Sequence, residues 1–501
     1  MAEAQASMNG KDFPPSFGKT KSKKKKSKPK SPTASTSRQP IVVKPVQEHR
    51  QKGFNSWDEF LFENELNAQW ICGVEYFEHA PFGMKKWQEY ARPGMVVEVP
   101  NYKKPSTYWP AIVHGFAGYK ALVEYVKVND RKERNCMTWV NFCSGTVKPL
   151  GYCFCNHILL YPPSKKDQQD FSPKLEETYK KLLNQNLPTV KPNHHKYCLE
   201  ETESTATRFE LNEVVEALDK LDCSRNRTGV ISMTFGNRMH VQYLGLEEDD
   251  EGFWFSQQSE HVHKMGWSQA VKAEVVGANP NLIYPHPPTS ELLEVPAGVR
   301  IERNAMFEMR HPVLLHKIVP AYVVEPLRYG YFLAATDWTR TDETVEIVMH
   351  VTSDYILPIN FCRDHGIDLE VPMKDGEAIK KFSWKKFLPE VECTALDLSA
   401  IKKKASIFTK GCKLEAVNLT SPIYLWPATV LNVCGHLLRM HFDGFPRTQE
   451  DSFQWISTNS GDIYPAGYAQ LVGSKLGNKP DRPNPADSFY LTTEPGTSTN
   501  V

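Results

Sequence analysis

Three side-chain patterns that could do chemistry bear on this sequence: metal ligands, catalytic motifs and basic runs. The first is sulfur and imidazole: Cys136, Cys143, Cys153, Cys155 and His157 crowd one stretch, His194, His195 and Cys198 follow, and His261 and His263 lie two apart. A structural zinc site needs paired ligands such as CxxC at a set spacing. That spacing is absent, so no metal is expected, and the 11 Cys read as free thiols of a reducing compartment. The second group would be catalytic, yet no GxGxxG, Walker loop, GxSxG or HExxH pattern occurs. Neither an enzyme nor a cofactor is expected. The third is the basic run Lys19 to Lys30, in which Lys23, Lys24, Lys25 and Lys26 are consecutive. It reads as a nuclear-import signal or as a weak, non-specific nucleic-acid contact.

Residues 1–50 carry 12 of the 60 Lys and Arg but only 3 of the 59 acids, which leaves the remaining 451 residues acidic by 8 charges. A tail of that composition buries too little apolar surface to order itself. The acidic body would repel DNA and attract a basic peptide. No apolar run is long enough for a membrane span and the start lacks a signal peptide, so secretion and membrane insertion are not expected.

The elements that position any site come from an internal repeat. A Glu between apolar residues recurs at Glu98, Glu216, Glu308 and Glu415. Twelve positions on stand Pro110, Thr228, Pro320 and Pro427, and twenty-seven on stand Tyr125, Tyr243, Ala335 and Phe442. Each unit closes on an aromatic 51 to 54 positions after its Glu: Tyr152, Trp267, Phe361 and Tyr468. Short β-branched and aromatic runs lie between these anchors, separated by turn residues, so each unit is expected to be a small β-barrel or curled sheet. A Pro cannot donate to a ladder, which places the one at +12 at a strand start or on an edge. Trp57 to Leu61 and Trp384 to Leu388 have helical spacing and read as arms that pack on a neighbouring core. Residues 164–200, with Leu175 and Tyr179, read as the second arm, and the third is short.

The fourth unit, GCKLEAVNLTSPIYLWPATVLNVCGHLLRMHFDGF followed by DIYPAGY, resembles the malignant brain tumour (MBT) repeat family, and HAPFGMKKW and AGYKALVEY in the first unit are similar to the opening unit of its four-repeat members. The resemblance implies a mainly β chain of four tandem repeats, each a Tudor-like β-barrel core with a helical or extended arm. The expected division is a basic tail at 1–50, repeats at 54–163, 164–287, 288–373 (degenerate) and 374–478, and a loose tail at 479–501. It further implies a nuclear, non-enzymatic reader of methylated lysine on histone tails that acts in transcriptional repression with other chromatin repressor proteins.

A methylated ammonium has lost donors and gained apolar surface, so a box of aromatic faces holds it by cation–π attraction and burial. A carboxylate in the box pairs with the N–H that mono- and dimethyl-lysine retain. The resemblance places this acid at +3, aromatics at +27 and +30, and a third aromatic soon after. The first unit offers Asn101, Tyr125 and Val128, and the third His311, Ala335 and Trp338; neither completes a box. The second offers Asp219 and Tyr243 with Trp254 downstream, a possible second pocket. The fourth offers Asn418, Phe442 and Phe445, with Phe453 and Trp455 after a longer loop, and is the best box in the chain. Asn418 brings no charge, which weakens selection for lower methylation. The alternative is that these aromatics finish a barrel core and the repeats act as a non-reading scaffold.

Overall fold

A computed structural model describes residues 56–477 except 64, 129–135, 164–172, 206–207, 247–251, 278–286, 337–343, 372, 375–376, 379–381 and 475. Lys23 to Lys26 and the segment 479–501 lie outside the described residues.

Each unit is a curled antiparallel sheet in which the first strand lies between the second and the fifth, giving the order fourth, third, second, first, fifth. The first unit uses Val96–Asn101, Lys104–Ala117, Lys120–Tyr125, Met137–Asn141 and Lys148–Pro149. The fourth uses Lys413–Val417, Leu425–Cys434, Leu437–Phe442, Phe453–Ser457 and Ile463–Tyr464. The second adds Val275–Val276, parallel to Asn226–Phe235. The repeating Glu faces the +12 residue across the first two strands in all four units: Pro110, Thr228, Pro320 and Pro427. A one-residue bulge falls at His114, Ser232, Val324 and Leu431, sixteen positions after each Glu. An extra residue at that point bends the long second strand and curls the sheet into an open barrel.

The prolines at +12 are not at an edge or a strand start, as the sequence suggests. Pro110 and Pro427 sit inside the second strand, which is paired on both sides. They are tolerated because their carbonyls accept Val126 N and Asp443 N, just past the end of the third strand. A strand residue points N and C=O to the same side, so the missing N–H faces the one residue beyond the third strand's end, and in the first unit that residue's carbonyl, Val126 O, accepts Trp109 Nε1 instead.

The arms pack on the core before them in the ring. Helix Pro173–Leu183 lies on the first unit, helix Trp384–Glu390 on the third, and the short turn Thr289–Glu291 brings Leu292 against Trp267 of the second. Helix Trp57–Glu63 packs between the first and fourth units, where Trp57 and Leu61 share a cluster with Ala117 and Trp139 of the first and Ala466 of the fourth. The four units therefore close on themselves rather than form an open chain. The fourth touches all the others: Tyr119 N donates to Ala466 O at 2.8 Å, Asn237 N to Tyr468 Oη at 2.9 Å, and Trp455 N to Leu315 O at 2.9 Å.

Candidate functional site

The repeating glutamates are structural clamps. Glu98 accepts from Gly151 N and Cys153 N at 2.8 and 2.7 Å, and Glu216 from Gly266 N and Ser268 N at 2.7 and 2.6 Å. Glu308 accepts from Asn360 N and Cys362 N at 2.8 and 2.7 Å, and Glu415 from Gly467 N and Ala469 N at 2.6 and 2.7 Å. Each carboxylate thereby caps the short helix begun by the closing aromatic, satisfying N–H groups that have no partner within the helix. The residue before that helix is left-handed, with φ from 70° to 94° at Gly151, Gly266, Asn360 and Gly467, which is why Gly or Asn stands there. Three clamps take a further donor from an arm: Tyr179 Oη for Glu98, and Trp384 Nε1 and Trp57 Nε1, each at 2.7 Å, for Glu308 and Glu415. Burial pushes the Glu415 carboxyl up to about 7 against the pull of its three donors.

The +3 residues share a second structural duty. Asn101, Asp219, His311 and Asn418 each accept the backbone N–H two residues on, at 2.9 to 3.1 Å, as in an Asx turn. His311 also accepts Leu314 N at 2.9 Å, and burial lowers its imidazole to about 4, as an acceptor nitrogen requires.

In the fourth unit Phe442 is fully buried, and Phe445 lies 6.2 Å from it between ring centroids. Trp426, missed by the sequence reading, completes the cluster with its ring 4.8 Å from Phe445 at 67°. Half-exposed Tyr424 follows at 6.5 Å. Trp426 pairs with Ala416, which puts it on the same sheet face as Ala428 and Phe442. Its Nε1 is buried without a hydrogen-bond partner, and Gly477 lies against the indole, where a Cβ would come within 2.5 Å. A Trp one place before the +12 Pro was the available signal.

Phe453 and Trp455 are not walls of this box. They pair with His441 and Arg439, which point to the sheet face opposite Phe442. Phe453 lies 5.0 Å from the His441 ring, while Trp455 is buried between units with Ile318, Leu357 and Phe361. The position closing the loop is Ser452, fully buried with its hydroxyl on Gln449 O at 2.6 Å. Asn418 Oδ1 is engaged by Thr420 N and Thr420 Oγ1 at 3.1 and 2.7 Å. The adjacent Asp443 is committed to Lys413 and Thr429.

The second unit brings Asp219 and Tyr243 to one face but not Trp254, which pairs with His240 on the other. Asp219 is fully buried and already carries a cation. Arg227 Nη2 and Nε reach its Oδ2 at 2.8 and 3.1 Å, and Arg225 Nε lies at 3.3 Å. Arg227 occupies the same place in its unit as Trp426 does in the fourth, eleven positions after the Glu. In the first unit that place holds Trp109, which donates to Val126 O at 2.8 Å beside Tyr125. In the third it holds Val319; the hairpin pairing there runs one residue longer, with Tyr322 opposite Ala335, and Trp338 lies outside the described residues.

A cavity of about 420 Å³ opens elsewhere, where the second, third and fourth units meet. Arg310, Glu260, His263, Asp354 and Asp462 line it, charges of both signs that leave no single demand for a ligand. Cys143 and Cys198 are buried beside His194, whose Nδ1 is 3.8 Å from Cys198 Sγ. Among the described residues no group of three or more His, Cys, Asp or Glu could hold a metal ion, and no helix is long and apolar enough to cross a membrane.

Comparisons with known proteins agree with this architecture. The mbt repeat family matches at residues 95–167, 214–276, 305–375 and 412–483. MBT domain-containing protein 1 of Xenopus tropicalis is 28% identical over 439 residues, covering 85% of this chain and 64% of that protein. Polycomb protein Sfmbt of Drosophila melanogaster is 26% identical over 461 residues, covering 85% of this chain and 36% of that one. The chain thus spans less than two thirds of these relatives. The crystal structure of the four MBT repeats of Drosophila melanogaster Sfmbt, in complex with the peptide RHR(me)KVLR, superposes with a TM-score of 0.68 at 25% identity, covering 82% of this chain and 96% of that one. With four matched segments that coincide with four curled sheets of one topology, the chain belongs to the MBT repeat family.

Proposed function

We propose that this chain is a non-enzymatic chromatin reader that binds methylated lysine on histone tails through its fourth repeat. The observation that carries the reading is the cluster of Trp426, Phe442 and Phe445, since the fourth repeat alone has aromatics at both +27 and +30 among the described residues. Indole and phenyl faces attract an alkylated ammonium without a carboxylate. With Asn418 in place of an acid, the box loses its means of selecting lower methylation over the trimethyl form. Likeness to Sfmbt, a Polycomb protein, supports action in the nucleus with repressor partners. Lys23 to Lys26 supply import and a weak nucleic-acid contact.

A scaffold that uses the repeats as protein-binding surfaces is the second reading. It is favoured by the full burial of Phe442 and by Ser452, not an aromatic, where the loop closes. Fluorescence polarisation of residues 51–480 with matched un-, mono-, di- and trimethyl-lysine histone peptides separates the two. Methylation-dependent binding that Phe445→Ala removes establishes the reader, and equal binding of all peptides establishes the scaffold.

A further inference from the structure

Two thiols far apart in sequence meet where the ring of repeats closes. Cys72 follows the arm helix Trp57–Glu63, and Cys412 opens the fourth repeat. Their sulfurs are 2.7 Å apart, separated by 340 positions in the chain. A disulfide bond is about 2.05 Å long, so bonding needs a shift of under an ångström.

The backbones hold the pair in place. Cys72 N donates to Lys413 O at 2.9 Å, Ile71 bridges Lys413, and Cys412 O accepts Val430 N at 2.9 Å. Both thiols lie among Phe77, Ala80, Phe408 and Leu414, with Cys412 the more exposed at 4%, an opening that favours a small oxidant over a bulky thiol. The two sulfurs are also unequal. The hydrogen bond from Cys72 lowers the Cys412 thiol, while burial raises Cys72 well above its ordinary value. Cys412 is thus the nucleophile and Cys72 the resolving thiol.

We propose that Cys72 and Cys412 form an oxidation site for a peroxide-class oxidant, at which one disulfide fastens the first arm to the fourth repeat. The Cys412 thiolate attacks one peroxide oxygen, the O–O bond breaks, and protonation of the leaving oxygen gives water and a sulfenic acid. The Cys72 sulfur then attacks the Cys412 sulfur and displaces its hydroxyl, which leaves as water with the Cys72 proton. Two thiols and one hydrogen peroxide become one disulfide and two waters. The product turns a ring held by packing into one closed covalently.

The test treats the full chain with hydrogen peroxide, blocks remaining thiols with N-ethylmaleimide and maps the peptides without reduction. A peptide joining Cys72 to Cys412 is expected, together with a rise in the thermal unfolding midpoint that dithiothreitol reverses. Cys412→Ser and Cys72→Ala should each lose both. Mapping of the unsubstituted chain decides the matter even if either variant folds poorly. Complete alkylation of both thiols after peroxide overturns the proposal. So does oxidation confined to Cys143 and Cys198.

Discussion

The second and fourth repeats share a sheet, a register and a clamped glutamate, yet they fill the same internal space in opposite ways. In the second, Arg227 lies against Asp219 as a built-in cation, so the acid that could select a lysine is already satisfied. In the fourth, Trp426 occupies the corresponding place and the acid is absent, so the space is aromatic and uncharged. The +11 side chain, as much as those at +3 and +27, therefore decides what a repeat of this fold can hold.

Four changes break or sharpen the contrast. Trp426→Ala removes a buried indole and should cost about 4 kcal/mol in chemical denaturation, along with any methylation-dependent binding. Arg227→Leu strands a buried carboxylate, for which about 3 kcal/mol is expected, less than for Trp426 because Arg225 still reaches Asp219. Its double variant with Asp219→Asn should recover most of that loss. Trp57→Phe deletes the arm's bond to Glu415 and should cost about 2 kcal/mol; the second repeat receives no such bond from its arm among the described residues. Asn418→Asp gives the fourth repeat the missing acid, and mono- and dimethyl-lysine peptides should then gain about tenfold in affinity over the trimethyl peptide.

The smallest expected effect is on pH dependence. Burial holds Glu415 near 7 against an ordinary 4.5, so between those values the folded chain keeps a proton that the unfolded chain has released. Stability contributed by this group is therefore present at the acid end and falls as pH rises through 7. The unfolding midpoint should decline across that window, and Glu415→Gln should flatten the slope. An unchanged slope would show that the three donors keep Glu415 ionised.

The recurring glutamates, the +12 residues and the closing aromatics made four curled sheets legible in the sequence, because each anchor answers to a local requirement: a cap, a cross-strand partner, a left-handed turn. The box was only partly legible. Phe442 and Phe445 lie before the inserted loop, where counting from Glu415 keeps its meaning. Phe453 and Trp455 lie after it, and a strand's face depends on its pairing, so the side facing Phe442 could not be counted through the insertion. Trp254 was misjudged for the same reason. Nothing in the spacing of Asp219 announced that Arg227 would reach it, since that meeting is made across the hairpin.

The bond between Trp57 and Glu415 spans 358 positions. A ribosome moving at about 5 to 20 residues per second takes roughly 20 to 70 seconds to cover that distance. Throughout that interval the first arm has only the first repeat's Ala117 and Trp139 to pack on, and the fourth repeat's share of its docking surface has not been made. The edge of Trp57 that meets Glu415 and Ala466 must wait uncovered, available to chaperones or to another nascent chain, until the last repeat emerges to receive it. The seam that finishes the ring is thus also the last part of the molecule that synthesis can protect.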